Sequence, residues 1–235
     1  MSAKLYLIPV TLGDSLIENV IPALPLDILN RLDHFVVEDL RSARRYLRKA
    51  GMKAEFDNLQ FYLLNEHSSE EELEEMLAIL RKGESMGILS EAGVPAVADP
   101  GSQLVAQAHR LGIQVIPLVG PSSILLALMA SGMNGQSFRF HGYLPVKKPQ
   151  RLNRIRQIEK SAFESGETQI FMETPYRNMS LLDDLLNTCR KDTLLCVAAD
   201  ISLDTEFIKT KAVHEWRKEV PPLHKRPAIF LINRM

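Results

Sequence analysis

Cysteine is scarce in this chain: it holds two, Cys189 and Cys196, among 235 residues. Their spacing makes no CxxC motif and no histidine completes a zinc set, which excludes a disulfide scaffold and a zinc module. Two reduced, buried thiols in a cytoplasmic protein are expected instead. Charge of one sign is missing as well, since 28 Lys and Arg face 29 Asp and Glu for a net charge of −1. That balance argues against a chain whose main task is to coat nucleic acid, while leaving room for local basic patches. No run approaches the ~20 apolar residues of a membrane span, and the apolar part of MSAKLYLIPV is too short for a secretory leader. His34, His67, His109, His141, His214 and His224 form no spaced pair, so no metal site is expected. There is no GxGxxG after the first apolar run and no GxxxxGK[ST], which removes the dinucleotide and P-loop phosphate cradles. Nor is there an internal repeat or a Ser/Gly-rich linker.

What is present is an ordinary globular composition, 46% hydrophobic, long enough for one large or two small domains. Short apolar runs alternate with helical patterns. KLYLIPV reads as a first strand, and Pro25 opens a helix-like LDILNRL. HFVVED is a second strand, RSARRYLRKAG a basic helix stopped by Gly51, and LQFYLL a third strand. In SSEEELEEMLAILRKG, Ser69 and Glu72 fit a capping box before a helix that ends in Arg81 and Lys82. MGIL, QLVAQAHRLG and IQVIPLV complete another strand–helix–strand unit. Such alternation predicts an α/β fold with a mostly parallel sheet. After PLVGPSS the texture changes to a small-residue helix (ILLALMASG), SFRFHGYLP, a basic helix, and the strands TQIFME, LLCVAAD, Phe207–Val213 and AIFLINR. A helix around Asn178–Arg190 separates the first two of these strands. The expectation is therefore two α/β domains, residues 1–119 and 120–235, the second with a mixed sheet.

Ligands of open parallel sheets sit beyond the carboxyl ends of the strands. Three loops of unusual composition fall at such places: VTLGDS (Val10–Ser15), SEAGVPAVADPGS (Ser90–Ser102) and VGPSS (Val119–Ser123). They are rich in small residues and exposed amides, and the second carries two acids with no cation. Backbone groups and hydroxyls there suit a ligand with an amine, a carboxylate and a purine, and the small residues read as room for it. Ser122 and Ser123 also fit a plain helix start after Pro121.

The blocks LIPVTLGD, VVEDLRSARR, LSEAGVPAVADPGSQLV, IPLVGPSSILLALMASG, FHGYLPVKK and FMETPYR occur in an order that resembles the tetrapyrrole methylase superfamily. The resemblance covers nearly the whole chain. Within the superfamily it is most similar to the small-subunit ribosomal RNA methyltransferase I branch, whose members 2′-O-methylate a cytidine ribose of 16S ribosomal RNA. The chain departs from that branch's usual PTPIGNL, DAGTP and EDTR blocks, reading Pro9-Val10-Thr11-Leu12-Gly13-Asp14, Glu91-Ala92-Gly93-Val94-Pro95 and Glu38-Asp39-Leu40-Arg41. The resemblance implies a cleft between two α/β domains that holds S-adenosyl-L-methionine, and a cytoplasmic homodimer. It implies that Pro9 and Gly13 line the cofactor from the first loop. Glu91, Ala92, Gly93, Val94, Pro95 and Asp99 wrap its methionine end, with Ser122 and Ser123 beneath. Met172, Ala198, Ala199, Pro227 and Ala228 meet adenine and ribose.

A ribose hydroxyl needs an acceptor for its proton before it attacks a methyl carbon. Asp39 and Glu91 are the candidate catalytic acids, with Glu38 and Asp99 beside them. The alternative role, a helix cap or turn acid, suits Asp99 better than Asp39. Two basic stripes offer phosphate contacts, Arg41 and Arg44 in the basic helix after HFVVED and Lys147, Lys148 and Arg151 after GYLP, with Arg177 as a further contact; a solvated helix face is the alternative for such a run. The leading expectation is a methyltransferase acting on ribosomal RNA or the small ribosomal subunit. Its alternatives are a C-methyltransferase of tetrapyrroles or corrins, whose propionates suit the same cations, and a non-catalytic RNA-binding protein on a methylase scaffold.

Overall fold

The structure is a computed structural model, described here for residues 3–21, 26–65 and 67–234. The chain divides into two compact units, Met1–Ser122 and Ser123–Met235. The first unit runs β1 (Lys4–Ile8), α1 (Ile17–Val20), α2 (Leu26–Leu29), β2 (His34–Val37), α3 (Leu40–Lys49), β3 (Gln60–Leu63), α4 (Glu70–Arg81), β4 (Met86–Leu89), α5 (Gly101–Arg110) and β5 (Gln114–Pro117). Its five strands pair in the order β3-β2-β4-β1-β5, every pair parallel. The expected start at Pro25 lies outside the described residues.

That order fixes which face each helix covers. From β1 the chain moves one way to β2 and β3, then reverses to β4 and β5, and right-handed crossovers send the two sets of helices to opposite faces. The packing agrees. Ile8, Phe35 and Val37 point toward Ile17, Leu29 and Leu47 of α1–α3. Leu5, Val36, Met86 and Ile88 point toward Met76, Leu80, Leu104 and Ala108 of α4 and α5. The alternation of one strand thus feeds two cores, which is why these strands read as continuous apolar runs. The Ser69–Glu72 capping box is present at the start of α4.

The second unit runs α6 (Ser123–Ser131), β6 (Phe138–Tyr143), α7 (Lys148–Ser165), β7 (Thr168–Glu173), α8 (Asn178–Thr188), β8 (Leu194–Ala199), β9 (Phe207–Ala212), α9 (Val213–Trp216) and β10 (Ala228–Asn233). Its sheet, ordered β6-β7-β10-β8-β9, is mixed: β6 and β7 are parallel and the other pairs antiparallel. A core of Phe171, Phe230 and Val197 against Ile155, Leu181 and Trp216 covers one face. The Trp216 indole donates to Leu195 O at 2.8 Å, so its one polar atom is satisfied inside that core. Cys189 and Cys196 are buried and unpaired with each other, and burial pushes the Cys196 thiol up to about 11.

Among the described residues no helix is long and apolar enough to cross a membrane, and no group of three His, Cys, Asp or Glu could hold a metal ion. Pro9 and Gly120, just beyond β1 and β5, approach so closely that a Cβ on Gly120 would lie 2.1 Å from the proline Cβ. Gly120→Ala is therefore expected to lower stability by about 1–3 kcal/mol through overpacking, measured by urea denaturation.

Candidate active site

Strand β4 is flanked by β1 and β2, whose outgoing connections cover the opposite face from its own. A crevice opens at the carboxyl ends of such neighbours. Here those ends carry Pro9–Ser15, Glu38–Asp39 and the bend Ser90–Ser102. The Val10 amide donates to Gly93 O at 2.8 Å, an isolated antiparallel bridge that joins the first loop to the bend. Behind it the buried Tyr46 hydroxyl of α3 donates to Pro9 O at 2.7 Å. A cavity of about 310 Å³ lies between the first loop and α3, lined by Thr11, Gly13, Ser42, Arg45, Ser90 and Glu91 among others. That is within the size range of small-molecule sites.

The bend is strained. Ala96 and Ala98 hold φ of 65° and 61°, values that L-residues rarely adopt and that cluster at functional sites. Asp99 organises it: one carboxylate oxygen accepts from Ala96 N at 2.8 Å and the other from Gly101 N at 2.7 Å. Gly93, at φ +77°, needs the freedom glycine has. Its smallness does not leave room for a ligand, however. A Cβ there would meet Leu12 Cδ2 at 3.1 Å and Pro121 O at 3.2 Å, so the space is already taken by the first loop and the chain after β5.

Four acids meet at this end of the sheet. The Glu91 amide donates to Glu38 Oε1 at 3.2 Å. Burial, joined by the charges of Asp99 and Glu91, pushes the Glu38 carboxyl above its ordinary range. Glu91 is exposed as a residue, yet the shielding of its carboxyl end raises it, reinforced by Asp39 and opposed by a hydrogen bond with Ser42. Asp99 is raised by burial against the pull of its two amides. Asp39 behaves differently. It is the N-cap of α3, accepting from Ser42 N at 2.7 Å, and the Ser42 amide and hydroxyl hold its carboxyl below the usual range. A capped, more acidic carboxylate is a poor proton acceptor, and Glu38, its neighbour, faces the bend instead.

The remaining residues fall into separate sets. Gly13 and Glu91 face the cavity, Pro9 and Pro95 are buried beside it in sequence, Val94 is half-buried and Ala92 exposed. Ser122 closes the first unit and Ser123 opens α6 in the second. In the second unit the sheet aligns Met172 with Ile229 and Ala198, and Glu173 with Ala228 and Ala199. Met172, Ala198, Ala199 and Ala228 therefore share one sheet end, with Pro227 adjoining and its carbonyl receiving Asp200 N at 3.0 Å. Sequence reasoning missed what holds that end: Arg226 pairs with Asp200 at 2.7 Å and donates to Thr205 O at 2.6 Å. The Arg-Pro pair and the acid closing LLCVAAD were the available signals.

Of the basic residues, Arg41 and Lys147 are exposed. Lys148 is exposed but lies 3.3 Å from Asp184. Arg177 pairs with Glu173 at 2.5 Å. Arg44 is half-buried over the rings of Phe56 and Phe61, at 5.9 and 5.2 Å, and so packs as much as it presents charge. Arg151 is not presented at all. It is 4% exposed, its Nε donates to Asp184 Oδ2 at 2.7 Å, and Val146 O and Ser180 take its other donors.

The profile of the Tetrapyrrole (Corrin/Porphyrin) Methylases matches residues 4–215, and the chain belongs to that family. It is a methyltransferase, and methyltransferases of this family use S-adenosylmethionine. Among its relatives, the "Ribosomal RNA small subunit methyltransferase I" of Vibrio cholerae is 30% identical over 97% of this chain and 76% of its own. The protein of that name from Escherichia coli O157:H7 is 28% identical over 98% and 77%. In fold the chain is similar to diphthine synthase (TM-score 0.66, 14% identity, 99% of this chain and 90% of that one). It is similar also to the methyltransferase CobJ (TM-score 0.64, 16% identity, 100% and 95%).

The burial of Arg151 gives a direct check. Arg151→Ala leaves Asp184 buried and short of its main partner, and is expected to cost about 3–5 kcal/mol of stability. Lys147→Ala, on the same helix end, is expected to stay within about 0.5 kcal/mol; urea denaturation of both variants measures the difference.

Proposed function

We propose that the chain transfers a methyl group from S-adenosylmethionine to the ribose 2′-hydroxyl of a cytidine in 16S ribosomal RNA, acting in the cytoplasm on the small ribosomal subunit. The observation that carries the substrate is the match, over 97–98% of this chain, to relatives named for small-subunit ribosomal RNA at 28–30% identity, against 16% for CobJ. Homodimerisation accompanies this reading by resemblance.

The residues at the carboxyl end of the first sheet suit the group. When bound, the cofactor supplies an electrophilic methyl on a positively charged sulfur. Glu38, Glu91 and Asp99 supply the negative charge that such a centre favours, and the amides around Gly93 and Gly13 offer polar contacts for an amino acid end. Glu91 is the proton acceptor of this reading. Its carboxylate is less acidic than usual, which brings it closer to the operating pH that an efficient base needs, and Ser42 orients it. Positioning then supplies most of the remaining rate, since the displacement demands alignment above all.

The sign of the pH dependence separates the two acids. A base must be ionised, so activity is full above its pKa and lost as pH falls through it. With Glu91 as acceptor the acid limb of kcat/KM lies above the ordinary glutamate value of 4.5; with Asp39 it would lie below 3.8. Glu91→Gln is expected to lower kcat by about 10²–10⁴-fold while isothermal titration still shows cofactor binding. Incubation with labelled S-adenosylmethionine and either undermethylated small subunits or a tetrapyrrole acceptor tests the substrate. Label in the RNA supports the proposal, and label confined to the tetrapyrrole, or none at all, overturns it.

A further inference from the structure

Strand β6 carries an irregularity that the reading above does not use. Its register with β7 runs Phe138↔Thr168, Arg139↔Gln169 and Phe140↔Ile170, then passes to Tyr143↔Met172. Three steps on β6 match two on β7, the count of a β-bulge, and Gly142 sits within it at φ +64°, the left-handed turn such a bulge assigns to glycine. A bulge re-aims the side chain that follows it. That side chain is Tyr143, 57% exposed, and it stands beside Met172 at the sheet end that also holds Ala198 and Ala228.

A second exposed aromatic follows the carboxyl end of β7, the strand paired in parallel with β6. Tyr176, on the loop leaving β7, is 72% exposed. It is nonetheless held: the His224 ring meets it edge-on at 6.4 Å and Lys225 Nζ lies 6.0 Å from its centroid. The two loops are joined through Lys225 N donating to Pro175 O at 3.1 Å and Asn178 Nδ2 donating to Arg226 O at 2.6 Å. Arg177, between Tyr176 and α8, lies within electrostatic range of the Tyr143 phenol. Two exposed rings, with Arg177 and Lys225 beside them and Lys147 exposed four residues after Tyr143, combine flat apolar surface with positive charge. Unpaired nucleotides carry the matching chemistry, a planar base and a phosphate.

We infer that Tyr143 and Tyr176 form a stacking platform for unpaired bases of the RNA substrate, with Arg177, Lys147 and Lys225 meeting the adjoining phosphates. The inference rests on the RNA reading above. Its test compares Tyr143→Ala, Tyr176→Ala and the double variant with Tyr143→Phe and Tyr176→Phe. The measurements are the KM for undermethylated small subunits, the binding of a single-stranded RNA oligonucleotide, and cofactor affinity by isothermal titration. Each alanine variant is expected to raise KM and weaken oligonucleotide binding by about ten- to a hundredfold. The phenylalanine variants, which keep the ring, restore both, and cofactor affinity stays constant throughout. A double alanine variant with wild-type KM on an active enzyme overturns the inference alone. So does a loss confined to subunits and absent on bare RNA, which would mark a protein contact. A wild-type protein that transfers no methyl to RNA overturns the functional reading and this inference with it.

Discussion

The hydrogen bond from the Val10 amide to the Gly93 carbonyl, 2.8 Å long, sets the geometry of everything at the carboxyl end of the first sheet. It joins loops that leave β1 and β4 toward opposite faces, so neither loop is held by its own helices alone. Three conditions make it possible. Gly93 takes a positive φ against Leu12 and Pro121, Tyr46 fixes the Pro9 carbonyl from behind, and Asp99 holds the strained turn between Ala96 and Gly101. The small residues of the bend are thus explained by backbone approach and by curvature.

With the bend fixed, electrostatics follows from position. The Glu91 amide donates to Glu38, and Asp99 adds its charge to the same carboxyl. Carboxylates that must share a partly shielded space lose acidity, and a cation nearby relieves that repulsion. The second unit uses a comparable device for a different end. The Asp200–Arg226 pair and its bond to Thr205 O fix the segments that bear Ala199 and Pro227.

Much of this was legible in the sequence. Apolar runs located the strands of the first sheet and four of the five in the second, SFRFHGYLP, which holds β6, being read as no strand. The requirement that ligands sit beyond carboxyl ends picked out the loops that do converge. The failures have physical reasons. Whether Asp39 or Glu38 faces the bend depends on where β2 stops and α3 starts, a difference of one residue that composition does not encode. Arg151 was read as surface charge because it stands in a basic run. Its spacing to Ile155, Ile158 and Ala162 places it on the buried stripe of α7, and that periodicity was available. The β6 bulge had only Gly142 as a signal, and one glycine does not specify a register.

The central claim is that this site methylates a ribose oxygen of small-subunit RNA. The most direct measurement follows labelled methyl from S-adenosylmethionine into undermethylated small subunits, then hydrolyses the RNA in alkali. A 2′-O-methyl group removes the hydroxyl through which alkali cleaves the chain. The account predicts that the label emerges in an alkali-resistant dinucleotide whose methylated member is cytidine. Label recovered in single nucleotides, which would place the methyl on a base, would contradict it.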